Sequence, residues 1–166
     1  SFKITLNDGT VFTNESKFTL KEKAQNINQL NRVTQQAPFT LSPLTEITSS
    51  LTYQGINETA AHAGKGEFQI FYDNEAGLLD KVIIVCDGFD PADGRDTGSI
   101  YNLLNYGTPT QNLGDNVRNL GYDVVVLNFP IYTRPDGITN IDGGVDYIQR
   151  NARVMIELIN YINANK

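Results

Sequence analysis

Apolar residues fall along the chain in three distinct patterns. Val82, Ile83, Ile84 and Val85 run together with no polar alternation, inside Lys81-Val-Ile-Ile-Val-Cys-Asp-Gly-Phe-Asp-Pro91. A β-branched run of that kind predicts a strand covered on both faces, as in a parallel sheet flanked by helices. Tyr122 to Phe129, with Val124, Val125, Val126 and Leu127, predicts a second such strand. Strict alternation marks other strands: Phe2, Ile4 and Leu6 before Asp8-Gly9, then Val11 and Phe12, a hairpin signature over residues 2 to 12. Phe68, Ile70 and Tyr72 predict a half-buried strand over Glu67 to Tyr72, and the Thr-rich stretch Leu44 to Ile56 predicts an edge strand.

Helical spacing is clearest between Val145 and Asn163, where Ile148, Ala152, Met155, Ile159 and Ile162 form one stripe and Gln149, Arg153, Glu157 and Asn160 face solvent. Leu113, Val117 and Leu120 predict a shorter helix, with Asp115, Asn116, Arg118 and Asn119 outward and Gly121 as its stop. Gly98 to Leu104 predicts another, broken by Gly107-Thr108-Pro109. Thr13 to Pro43 is rich in Asn, Gln and Thr, with a short helix placed at Gln25 to Val33, and Ile131 to Gly144 reads as a long polar loop. The alternation of strands and helices predicts an α/β chain with a mostly parallel sheet flanked by helices. Two regions follow: an amino-terminal hairpin and irregular region at 1–43, and an α/β region at 44–166.

Composition narrows the function. The chain has 166 residues, 40% of them hydrophobic, which is enough for one sizeable core. A formal charge of −6 argues against nucleic acid as a partner, because phosphate binding needs a positive surface. One cysteine, Cys86, excludes an intrachain disulfide, and one histidine, His62, leaves no Cys/His zinc cluster. No apolar run approaches the ~20 residues of a transmembrane helix, and no signal-peptide pattern opens the chain.

Few motifs carry chemistry, and none implies a metal or a cofactor. Gly64-Lys65-Gly66 lacks the third glycine and the following helix of a dinucleotide loop, so it reads as a turn. Asp90, Asp93 and Asp96 lack the ligand spacing of a calcium hand and read as a solvated acidic loop. Cys86 reads as a small core hydrophobe and His62 as a packing residue. Arg134 and Asp136 are loop charges of the kind usually only solvated, and Asp87, Asp90 and Arg134 are weak candidates for touching a ligand. Asp87-Gly88-Phe89 stands apart: a glycine after a buried strand permits a sharp turn whose backbone N–H groups point into the crevice at the strand end, as stabilising an oxyanion requires.

Asp87-Gly88-Phe89-Asp90-Pro91, Leu120-Gly-Tyr-Asp-Val-Val-Val-Leu-Asn-Phe-Pro130 and Asp142-Gly-Gly-Val-Asp-Tyr-Ile-Gln-Arg-Asn-Ala152 together resemble the amino-terminal half of an α/β-hydrolase. The similarity is to secreted, Bacteroidetes-type hydrolases with Asp/Glu-Gly-Phe-Asp-Pro after a strand, and it covers about residues 45 to 166. It implies that Gly88 and Phe89 supply part of an oxyanion hole, with Asp87 where many lipases place a histidine. It also implies a secreted or cell-envelope location and a small ester or acyl substrate. The nucleophile of such enzymes lies on a Gly-x-Ser-x-Gly elbow after the next strand. No such elbow occurs before Lys166.

Two readings result. In the first, the chain is the non-catalytic front portion of a secreted serine hydrolase, supplying scaffold and part of the oxyanion hole while being inactive alone. In the alternative, it is a non-enzymatic extracellular module that binds a carbohydrate, lipid or protein through Asp87 to Thr97 and Ile131 to Gly144. Either way Val82 to Val85 present an apolar edge without charge or proline, so self-association through it is expected unless the amino-terminal hairpin covers it.

Overall fold

The protein is described by a computed structural model covering residues 2–5, 11–14 and 40–166. The chain divides into two compact units, Ser1–Thr34 and Gln35–Lys166. In the first, β1 (Phe2–Thr5) pairs antiparallel with β2 (Val11–Asn14), Phe2 opposite Asn14 and Thr5 opposite Val11. That agrees with the alternation of the sequence; the Asp8-Gly9 turn and the helix expected at Gln25 to Val33 lie outside the described residues.

The second unit is built on four strands: β3 (Thr45–Tyr53), β4 (His62–Phe71), β5 (Val82–Cys86) and, after α1 (Thr97–Asn102), the small β6–β7 ribbon (Asn105–Tyr106, Gln111–Asn112) and α2 (Leu113–Arg118), β8 (Asp123–Asn128). Their spatial order is β3-β4-β8-β5. β3 with β4 and β4 with β8 are antiparallel; only β5 with β8 is parallel. The expected mostly parallel sheet flanked by helices is therefore wrong. A small, strand-rich mixed sheet forms instead, with few helices, two of them only six residues long. The apolar runs looked alike in sequence, but they differ in neighbours: β8 is central and buried at every position, whereas β5 is an edge strand, half-buried and ending in an exposed Cys86. Cys86 is thus not a core residue. As expected, Thr45–Tyr53 is the other edge.

Beyond β8 the stretch read as a loop contains a hairpin, β9 (Ile131–Thr133) against β10 (Asn140–Asp142), closed by Asp136, whose carboxylate accepts from Ile138 N, Thr139 N and the Thr139 hydroxyl. A 3-10 turn (Gly143–Val145) leads into α3 (Ile148–Ala164). The helix forms where periodicity placed it, but it buries a different face. Of the expected stripe Ile162 is buried and Met155 packs partly against the core, but Ile148 is 82% exposed and Ile159 is also exposed, and Arg150, Val154 and Leu158 enter the core instead. Two apolar stripes share this helix, and Arg150 disguised the one that packs.

One core lies between α3 and the sheet, around Phe68, Ile70, Val125, Leu127, Leu158 and Ile162. Its close approach depends on Gly64 and Gly66, which are not in a turn but on one face of β4. A Cβ at Gly64 would stand 2.8 Å from Arg150 Cγ, and one at Gly66 2.7 Å from Val154 Cγ1. Glycine at both places makes the groove in which α3 sits. The opposite face carries Phe71, Ile100, Tyr101, Val124 and Val126 under α1 and α2. There Arg118, expected to face solvent, is buried: its Nε donates to Tyr72 O at 2.9 Å and its guanidinium lies over Phe71 and Tyr101. The flat cation fits against these two rings, which stack 4.0 Å apart. Leu113 and Leu120, the expected apolar positions, are exposed instead.

Candidate functional site

Where β5 runs out, its ladder continues one step, with Asp87 N donating to Leu127 O at 2.8 Å. The chain then turns away along Gly88, Phe89 and Asp90. Between this turn and the first turns of α3 lies an open cleft of about 620 Å³, walled by Phe89, Phe129, Val145, Ile148, Ala152 and Met155, with Asp87, Gly88 and Asp146 at its polar edge. The size suits a small organic ligand, and the mainly apolar wall with a few polar groups is the usual make-up of such a site. Phe89 is 77% exposed, an aromatic ring left at the cleft mouth.

The turn is held from three directions. Arg95 Nη2 reaches Asp87 Oδ1 and the Phe89 carbonyl, both at 3.1 Å, and its Nε lies 3.6 Å from Asp90 Oδ2. Asp90 Oδ2 also accepts from Arg95 N at 2.9 Å, and the Asp90 N–H donates to Gly144 O. Gly144 packs so close that a Cβ there would lie 2.3 Å from the Asp90 carbonyl oxygen. Finally, Ala92 and Asp93 occupy the left-handed region at φ 67° and 49°. This uncommon backbone is secured by side chains: Asp142 Oδ2 accepts from Ala92 N at 2.6 Å, and Asp93 Oδ1 accepts from Asn128 Nδ2 at 3.2 Å. Asp96 then caps α1 by accepting from Ser99 N at 2.7 Å, and contacts from Ser99 hold its carboxyl below the usual range.

Electrostatics separates the groups at the cleft. Burial pushes the Asp87 carboxyl up from its ordinary value, against the opposing pull of the Gly88 N–H and Arg95. Its Oδ2 has no hydrogen-bond partner among the described residues. Cys86, although exposed at the strand end, lines the same cleft, and partial desolvation by the surrounding wall together with the neighbouring Asp87 pushes its thiol up, away from the thiolate a nucleophile needs.

The residues singled out in the sequence are only partly brought together. Asp87, Gly88 and Phe89 meet at the cleft, and Asp90 braces the turn from behind. Gly88 is not in the left-handed region, and a Cβ there would meet nothing within 4 Å, so the turn does not require a glycine. Asp90, Asp93 and Asp96 are a braced loop with hydrogen-bonding duties, not a solvated acidic run. Arg134 goes elsewhere, to Glu58. That carboxylate also pairs with Arg150 and with His62 Nε2 at 3.2 Å, while His62 Nδ1 faces Ala63 O at 3.1 Å. His62 is thus a buried structural residue with both ring nitrogens engaged.

Sequence reading missed this ionic network: neither Arg150 nor Glu58 stood out, because the two lie 92 positions apart and no local pattern links them. It also missed the Gly144 contact, although Asp142-Gly143-Gly144 was a visible signal. One carboxylate trio among the described residues, Asp73, Asp80 and Asp123, is compact enough to hold a metal. The Asp123 oxygens already accept from Asp73 N and Asp80 N at 3.0 and 2.8 Å, which accounts for the trio as a backbone clasp. No helix of the described residues is long and apolar enough to cross a membrane. No protein family, curated protein or solved structure was found that matches the chain.

Proposed function

We propose that this chain contributes the acyl-binding wall and part of the oxyanion hole of a secreted serine hydrolase, with the Gly88 and Phe89 N–H groups as the donors. The observation that carries the reading is that Gly88 and Phe89, in the turn after β5, line the apolar cleft beside an acyl-sized wall; the Gly88 N–H is held by the Asp87 carboxylate and has to be released from it to serve an oxyanion. Once it is free, N–H groups fixed at such a place stabilise a developing oxyanion without further reorganisation during reaction. Arg95 and Gly144 hold the turn in place before any ligand arrives.

Among the described residues the cleft wall includes no serine or histidine, and the Cys86 thiol is pushed up, away from the thiolate. The chain by itself is therefore expected to bind and not to turn over. The resemblance of Asp87 to Pro91 to a hydrolase motif supports the assignment to acyl chemistry; a non-enzymatic binding module would use the same cleft.

Titration of the isotope-labelled chain with butyrate and with an aryl butyrate ester distinguishes these. Saturable shifts of the Gly88 and Phe89 amides together with the Met155 methyl, without ester hydrolysis above background, are expected. Shifts of Met155 alone would favour the binding module. Shifts confined to the β9–β10 hairpin, or hydrolysis that disappears on replacing His62 or a serine, would overturn the reading.

A further inference from the structure

Among the described residues, Asp87 is the acid of the cleft with an oxygen to spare. Asp146, at the same polar edge, has both oxygens engaged: Oδ1 accepts from Arg150 and from Tyr147 N, and Oδ2 accepts from the Tyr132 hydroxyl. The Asn151 amide nitrogen is committed as well, donating to Gly143 O at 2.8 Å. Asp87 gives Oδ1 to Arg95 at 3.1 Å, but Oδ2 has no hydrogen-bond partner among the described residues, although the side chain is only 2% exposed. A carboxylate oxygen buried in this state is costly unless a donor reaches it, and a charged donor serves it best. The surrounding charge has the same preference, since the acids Asp90 and Asp93 oppose ionisation of Asp87 against the one cation Arg95.

We infer that the acyl group taken by the cleft is an apolar α-aminoacyl group, whose ammonium donates to Asp87 Oδ2 while its side chain lies along the apolar wall. This rests on the acyl-binding reading above and narrows it. Spacing sets the position of the charge. The Asp87 carboxylate and the Gly88 N–H are close enough to bond to each other, so a ligand that meets both must hold its cation and its carbonyl oxygen close together. An α-aminoacyl group does so, because one carbon carries both the nitrogen and the carbonyl. An ammonium at the far end of an alkyl chain would instead be driven against Phe129 and Met155, where nothing solvates it. The same contact supplies the release that the oxyanion donor needs. An ammonium is a charge-assisted donor and stronger than a backbone amide; as it takes the carboxylate, the Gly88 N–H is freed for the carbonyl oxygen beside it. The amine is thus read twice, once as a contact and once as the release of Gly88.

Leucinamide and 4-methylpentanamide, the same molecule without the amine, test this on the isotope-labelled full chain at about pH 6.5, below the ~7.7–8.0 of an ordinary α-amine. Leucinamide is expected to bind about ten- to a hundredfold tighter, the range of a hydrogen bond to a charged group. The Gly88 and Phe89 amides and the Met155 methyl should shift together. Asp87→Asn should bring the two ligands to equal affinity, and so should raising the unmodified chain to about pH 9, where the amine is neutral. Equal binding to the unmodified chain at the lower pH would overturn the inference while leaving the acyl-binding reading in place. A preference for leucinamide that persists in Asp87→Asn would also overturn it, because the amine would then be read elsewhere. If neither amide moves Gly88, Phe89 or Met155, the acyl-binding reading falls and the inference with it. Should Asp87→Asn fail to fold, the preference at the lower pH and its loss at the higher one decide alone.

Discussion

Arg150 and Glu58, 92 positions apart, form an ion pair in which the arginine has no exposed surface. Arg150 also binds Asp146 and the Tyr53 carbonyl, and Glu58 also takes Gly55 N, His62 and Arg134. One pair thereby ties α3 to the β3–β4 connection and to the β9–β10 hairpin. Removing one partner of a buried pair leaves the other charge without water or counter-ion.

Glu58→Gln should therefore destabilise the protein by about 3 kcal/mol, the low end for breaking a buried pair because Asp146 still faces Arg150. The pH dependence has a definite sign. Burial alone would raise the Glu58 carboxyl, but Gly55 N–H, His62 and Arg150 outweigh it and hold it below its ordinary 4.5. With the folded value depressed, this stabilisation is present above the unfolded value and is lost as pH falls through the folded one. Urea midpoints of the native and variant chains should differ at pH 7 and converge in acid.

The two glycines at the cleft should respond oppositely to a methyl group. Gly144→Ala forces a Cβ into the Asp90 carbonyl and is expected to cost about 1–3 kcal/mol, as overpacking does. Gly88→Ala meets open space with no left-handed backbone to strain and should leave the melting temperature within about a degree, a change well under 0.5 kcal/mol. Thermal melts of both variants check the pair, and a large loss at Gly88 would contradict the turn described here.

Arg95→Met removes the cation that bridges Asp87, Asp90 and the Phe89 carbonyl. Asp87, whose carboxyl burial already raises, then loses a group that holds it down, and its folded value rises further. An acid with a raised folded value binds more protons folded than unfolded, so stability falls as pH rises through that value. The variant should lose more stability than the native chain does as pH rises from below the ordinary aspartate value of 3.8 to neutrality. Its amides at Gly88 and Phe89 should also exchange faster, and an unchanged pH profile would mean that Arg95 does not control Asp87.

How much of this was legible in the sequence differs from element to element. β8 could be read directly, because Val124 to Leu127 are buried on both faces and local composition records that. The β1–β2 hairpin was legible for the same reason, its alternation being local. The end of β5 was found as the candidate site because a β-branched run stopping at Asp87-Gly88 marks a strand end whatever the sheet does. The edge position of β5 was not legible: a strand's hydrophobicity does not name its neighbours, and two near-identical runs took central and edge places.

Sequence by itself therefore determined the longer strands, the long helix and the turn that adjoins the cleft, since each rests on the spacing and backbone preferences of neighbouring residues, but not the β9–β10 hairpin or the extension of β4 through Gly64 and Gly66. Tertiary structure alone decided three things: that the sheet is mixed, that α3 buries the stripe containing Arg150, and that Arg118 lies over Phe71 and Tyr101. Each turns on partners far apart in the chain. A buried arginine is stable only where distant carboxylates, carbonyls and rings converge on it, and no local pattern of polar and apolar residues encodes that convergence.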